Sequence, residues 1–202
     1  MSFVSQVVDP KQDRISRRQV DKFAERRAQL AASALLTLSE LGYARTSLRE
    51  IAQNSEFSHG VLHYYFRDKA ECVTRYDQVV ATSRTAEGLR ERFGAAMAQT
   101  LREDGSMHRL WYDLRNQSLF EKSFQEDVTE IDRSLERMIW RIVTRYAELS
   151  GSTLTVTSRL AYALFDGVFQ QALFWHLAGG DTTSAELREH VGQVLDRVTA
   201  SV

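Results

Sequence analysis

A chain of 202 residues with 43% hydrophobic residues, one proline and one cysteine is long enough to bury a substantial core, has almost nothing that forbids helix, and cannot form an internal disulfide framework or a multi-cysteine metal centre. The net charge of −1 hides an asymmetry: residues 1–75 carry 12 Lys and Arg against 9 Asp and Glu, whereas the remainder carries 14 against 18. No apolar run is long enough for a membrane span and no signal segment opens the sequence, so a soluble, cytoplasmic, all-α protein is expected, with the basic N-terminal part facing something anionic.

In chain order, the first twenty residues hold Pro10 together with Lys11, Arg14, Arg17 and Arg18. They read either as a flexible basic arm reaching a nucleic-acid groove or as a solvated tail. From Gln19 to Leu41, Phe23, Leu30, Ala34, Leu38 and Leu41 recur at helical spacing, and Gly42 closes that helix. Thr46 is a hydroxyl N-cap candidate for a short second helix ending near Asn54, and Ser58 for a third running from His59 to Phe66. Two short helices joined by a three-residue turn have the helix-turn-helix form. Asp68 then caps a fourth helix, predicted to reach about Thr82.

Breaks are expected near Gly94, Glu103 to Ser106, Ser123, Ser150 to Thr153 and Gly179 to Thr183. The segment from Leu154 to Ala178 is apolar around much of its circumference, which predicts burial on more than one side. A last helix from Ser184 to about Ala200 carries Leu187, Val191, Val194, Leu195 and Val198 on one stripe. By pattern alone, these two helices either complete the chain's own core or pack against a second copy.

Residues Arg27 to Tyr76 resemble the DNA-binding domain of the TetR family of regulators. The resemblance is carried by Leu41-Gly42-Tyr43, Thr46-Ser47-Leu48-Arg49-Glu50-Ile51-Ala52, Ser58-His59-Gly60-Val61-Leu62-His63-Tyr64-Tyr65-Phe66 and Asp68-Lys69. Physical spacing agrees: Leu48, Ile51, Ala52, Phe57, Val61, Leu62 and Phe66 suit a small three-helix core that leaves the opposite face of the third helix for a major groove. The resemblance implies a DNA surface of Thr46, Ser47, Ser58, His59, Gly60, His63, Tyr64, Tyr65 and Lys69. Glu56 and His63 depart from the family pattern, which usually has glycine and tyrosine there.

The organisation expected is an arm (1–20), a helix-turn-helix DNA-binding domain (21–75) and a larger helical domain for effector binding and dimerisation (76–202). Aromatic density in the last of these, read with the resemblance, nominates Trp111, Arg115, Trp140, Tyr162, Phe165 and Phe169 as effector contacts, and Leu164, Leu187, Val191, Val194 and Val198 as dimer contacts. An Asp166-Gly167 pair, also seen in many family members, sits within an apolar helix, where Asp166 is expected to cap or bridge to a neighbour, with a ligand contact as the alternative. The expected function is a homodimeric transcriptional regulator, in the commoner family mode a repressor, released from double-stranded operator DNA by an apolar or aromatic small molecule. It would be no enzyme and would hold neither cofactor nor metal. The second reading is a helical ligand-binding or scaffold protein with a vestigial helix-turn-helix; no nucleophile elbow, phosphate loop, zinc motif or dinucleotide fingerprint favours catalysis.

Overall fold

The computed structural model of the chain describes residues 74–120, 122 and 125–201. The helix-turn-helix expectation, including Thr46, Ser47, Ser58, His59, Gly60, His63, Tyr64, Tyr65 and Lys69, lies outside the described residues. Residues 74–82 are helical, which agrees with the helix end expected near Thr82; Asp68 lies outside the described residues.

Five further helices follow: α1 (Ala86–Glu103), α2 (Gly105–Gln117), α3 (Gln125–Ser150), α4 (Ser158–Leu177) and α5 (Thr183–Val198). Thr85 begins α1 by accepting a hydrogen bond from the Gly88 amide, and Thr157 begins α4 by accepting from Leu160. Both hydroxyls satisfy amides that a helix start otherwise leaves unpaired. At the other end of α4, Gly179 takes φ +88°, and its amide and that of Gly180 fold back onto the carbonyls of His176 and Trp175. That left-handed turn is where a glycine costs least.

The core lies between α1, α3, α4 and α5, with α2 closing one end. Trp111, Phe93, Phe165, Leu89, Leu101, Ile131, Ile142, Leu187 and Leu195 are fully enclosed. Each such side chain contributes about 1.5–3 kcal/mol of transfer free energy. Helices α1 and α5 cross closely by a reciprocal device. A Cβ on Gly94 would stand 3.4 Å from the Arg188 Cα, and one on Gly192 would stand 2.6 Å from the Arg90 guanidinium, which itself pairs with Asp196 at 2.6 Å.

Several expectations are corrected. Gly94 does not break a helix; α1 runs through it, because this position faces the backbone of α5. The all-α class holds with one small addition: β1 (Ser152–Leu154) pairs antiparallel with β2 (Thr199–Ser201), Thr153 opposite Ala200, and ties the end of α5 to the start of the α4 connection. Helix α4 is buried on one face only. Ala161, Tyr162, Phe165, Phe169, Ala172 and Leu173 point inward, whereas Leu160, Leu164, Phe174, Trp175 and Leu177 are exposed.

Candidate functional site

The helices leave a cavity of about 50 Å³ at the α2 end of the core. Its wall is assembled at helical spacing. Helix α2 contributes His108, Trp111 and Tyr112; α3 contributes Leu135, Met138 and Ile139; α4 contributes Tyr162, Phe165, Asp166 and Phe169. In each case residues three and four apart share a face. Met97 and Thr100 of α1 and Tyr76 of the 74–82 helix complete it. The aromatic rings brace one another, with His108 tilted at 58° against Phe169 at 4.6 Å and Phe165 packed 5.2 Å from Phe93. Ligand pockets usually enclose some 300–1,000 Å³, so this wall must part to admit an organic molecule. Two methionines in the wall, Met97 and Met138, are side chains that re-pack readily.

One end of the cavity is polar. Asp166, on α4, accepts from the Tyr112 hydroxyl at 3.0 Å and pairs with Arg115 at 2.5 Å. Arg115 also reaches Asp132 of α3 at 3.5 Å, and Asp132 accepts from the Tyr162 hydroxyl at 2.9 Å. Two carboxylates, one guanidinium and two phenols thereby join α2, α3 and α4. Burial disfavours charge on Arg115, but the adjacent Asp166 carboxylate outweighs it and holds the guanidinium pKa above its usual value. For Tyr162 burial acts first, and the Asp166 and Asp132 carboxylates add to it, so its phenol is held far above the usual tyrosine range and stays protonated.

A second polar junction joins the cavity to the 74–82 helix. The Tyr76 hydroxyl donates to Thr100 Oγ1 at 3.1 Å, and Arg75 donates to the same oxygen at 2.9 Å. Arg75 also pairs with Glu103 at 3.1 Å and Asp104 at 3.3 Å. The segment leading in from the N-terminal side is therefore fastened to the C-terminal end of α1 beside the cavity wall.

Of the six side chains nominated for an effector, Trp111, Tyr162, Phe165 and Phe169 line the cavity. Arg115 does not line it but pairs with Asp166 and stands 5.9 Å over the Tyr162 ring, and Trp140 packs against the core elsewhere. Tyr76, Thr100, His108 and Tyr112 were not anticipated; Tyr112 and His108 follow from Trp111 by helical spacing, but Tyr76 and Thr100 need the tertiary fold. Of the dimer nominees, Leu187, Val191 and Val198 have 0% exposure, because α5 turns that stripe against its own chain. They offer a second copy nothing. Val194 is half-buried and Leu164 retains 38% exposure.

Residues 30–76 match the family described as bacterial regulatory proteins, tetR family. This chain therefore contains a tetR-family segment. Over 44 residues it is 46% identical to the HTH-type transcriptional regulator BetI of Paraburkholderia xenovorans (strain LB400), a match covering 22% of this chain and 23% of that relative's length. The crystal structure of a TetR transcription regulator from Haloarcula marismortui ATCC 43049 matches with a TM-score of 0.53 and 14% identity, covering 87% of this chain and 97% of that one. The likeness in fold to that regulator thus extends over most of the chain, whereas the family match covers residues 30–76. Tyr76, the last residue of the family match, is also a wall residue of the cavity.

Proposed function

We propose that this tetR-family chain is a DNA-binding transcriptional regulator, acting in the cytoplasm as a homodimer and released from its operator by a small molecule held in the cavity. The observation that carries the reading is the position of Tyr76: it closes the segment matched to the DNA-binding family and lies in the cavity wall, hydrogen-bonded to Thr100. A ligand that moves Thr100 pulls on the 74–82 helix, and through it on residues 21–75. In this reading Thr46, Ser47, Tyr65 and Lys69 hold phosphates, while Ser58, His59, Gly60, His63 and Tyr64 meet the major groove.

A dimer is required because two recognition helices must meet half-sites about 34–36 Å apart. The exposed face of α4 suits that contact, since Leu160, Leu164, Phe174, Trp175 and Leu177 form an apolar surface beside a groove lined by Gly167, Gln171, Trp175, Glu186 and His190. No helix among the described residues is long and apolar enough to cross a membrane, so this surface is not explained as a span.

The test is binding of the purified protein to the DNA flanking its own gene, with salt titrated to separate selective from charge-driven affinity. Tight, sequence-selective binding by a dimer is the expected result. Failure there and in selection from random DNA would leave a ligand-binding protein without DNA recognition.

A further inference from the structure

We propose that the cavity takes an organic cation: a protonated amine, with N–H groups to donate, carried on an apolar or aromatic body. The proposal rests on the reading of the cavity as an effector site and names the chemistry that site selects.

The argument begins with what the polar end of the cavity has to offer. Asp166 is the only carboxylate that lines the cavity among the described residues, and neither Lys nor Arg lines it. Its side chain keeps 13% exposure, so water screens it weakly. The guanidinium that pairs with it, Arg115, is not among the lining residues; it is 35% exposed, stands 5.9 Å over the Tyr162 ring and also answers Asp132. The cluster therefore holds two negative groups against one positive group, and of its charged members only the carboxylate of Asp166 belongs to a lining residue.

The neighbouring phenols reinforce this polarity. Tyr112 gives its proton to Asp166 and Tyr162 gives its proton to Asp132, so neither turns its hydroxyl proton toward a ligand. Tyr162 does not ionise to change that arrangement, because burial and the two carboxylates hold its proton in place. An anionic ligand would meet Asp166 in a poorly screened site, where no Lys or Arg among the described residues lines the wall to balance it. An ammonium group would meet an acceptor already oriented by Tyr112 and Arg115, surrounded by the rings of Trp111, Tyr162, Phe165 and Phe169, whose faces attract positive charge. The Asp166 carboxylate sets the charge of the ligand's head, and the rings and methionines set the apolar character of its body.

The experiment compares three probes of nearly equal size on the full-length protein at neutral pH: benzylammonium, benzyl alcohol and benzoate. Binding is followed by tryptophan fluorescence, to which Trp111 in the cavity wall contributes, and by calorimetry. Benzylammonium is expected to bind at least about tenfold more tightly than benzyl alcohol, a difference of about 1.4 kcal/mol, with benzoate weakest. Asp166→Asn should bring the cation and the alcohol to equal affinity. Equal affinities in the unaltered protein, a preference for benzoate, or a cation preference that survives Asp166→Asn in a folded variant would overturn the proposal. If the alcohol still binds in those cases, the effector cavity stands and only the charge assignment fails. Binding of none of the three would count against the cavity as an effector site and against the proposal with it. The comparison within the unaltered protein decides the matter even if Asp166→Asn fails to fold.

Discussion

Tyr76 and Thr100 are joined by a 3.1 Å hydrogen bond between side chains 24 residues apart, one in the helix that leads from the DNA-binding segment and the other in the wall of the cavity. Arg75 donates to the same threonine oxygen. Thr100→Val removes both bonds while keeping the shape of the side chain. It should lower stability by about 1–2 kcal/mol in urea unfolding. If this junction carries the coupling, the variant's operator affinity should differ less with and without saturating ligand than that of the unaltered protein. An unchanged difference would place the coupling elsewhere.

Arg115→Met tests the bridge between α2, α3 and α4. The methionine retains most of the packing but leaves Asp166 without its cation. Because about a third of Arg115 is in water, the loss should be about 1–2 kcal/mol, below the full cost of isolating a buried charge. Chemical denaturation of the two proteins checks it; equal stabilities would mean that Tyr112 and solvent suffice for Asp166.

The raised pKa of Tyr162 makes the fold sensitive to alkali in a defined direction. Below about pH 10 the phenol is protonated whether the chain is folded or not, and its contribution is fully present. Above that pH an unfolded chain releases the proton while the folded one retains it, so stability falls as pH rises, by up to about 1.4 kcal/mol per unit. Burial raises Tyr146 in the same direction, so Tyr162→Phe should lessen the decline without abolishing it. Thermal midpoints between pH 9 and 11 report this, and parallel curves for the two proteins would contradict it.

Trp175→Arg and Leu164→Arg place a charge on the exposed face of α4, where the native side chains are 52% and 38% exposed in the single chain. Sedimentation should show a shift from dimer toward monomer, with stability of the individual chain little changed. Leu187→Ala, by contrast, should cost about 2–5 kcal/mol through the cavity it leaves inside one chain. If the α4 variants remain dimeric, the partner surface is on another face.

The sequence made four of the cavity residues legible, because Trp111, Tyr162, Phe165 and Phe169 lie on helices where large rings recur at core spacing. It also nominated Trp140, which neighbours the wall residue Ile139 but is turned by about 100° around α3 and is not among the lining residues. Apolar periodicity also identified the stripe Leu187, Val191 and Val198 but not what covers it, since a helix packed on its own chain and one packed on a second copy have the same pattern. The pairing of β1 with β2 was invisible for a different reason: three residues are too few to show alternation, and the partners are far apart in sequence. Gly94 was misread because a glycine that permits a close crossing looks locally like one that ends a helix.

Helix α4 is a partition with different business on its two sides. Phe165, Asp166 and Phe169 face the cavity, while Leu164, Trp175 and their exposed neighbours lie on the side proposed for a second copy. In a dimer built there, each cavity is separated from the other subunit by a single helix. A ligand that tilts this helix in one subunit reshapes the seat of its counterpart, so the first molecule bound alters the affinity for the second. Occupancy would then follow ligand concentration along a curve steeper or shallower than that of independent sites, and the response of the regulated gene would inherit that shape.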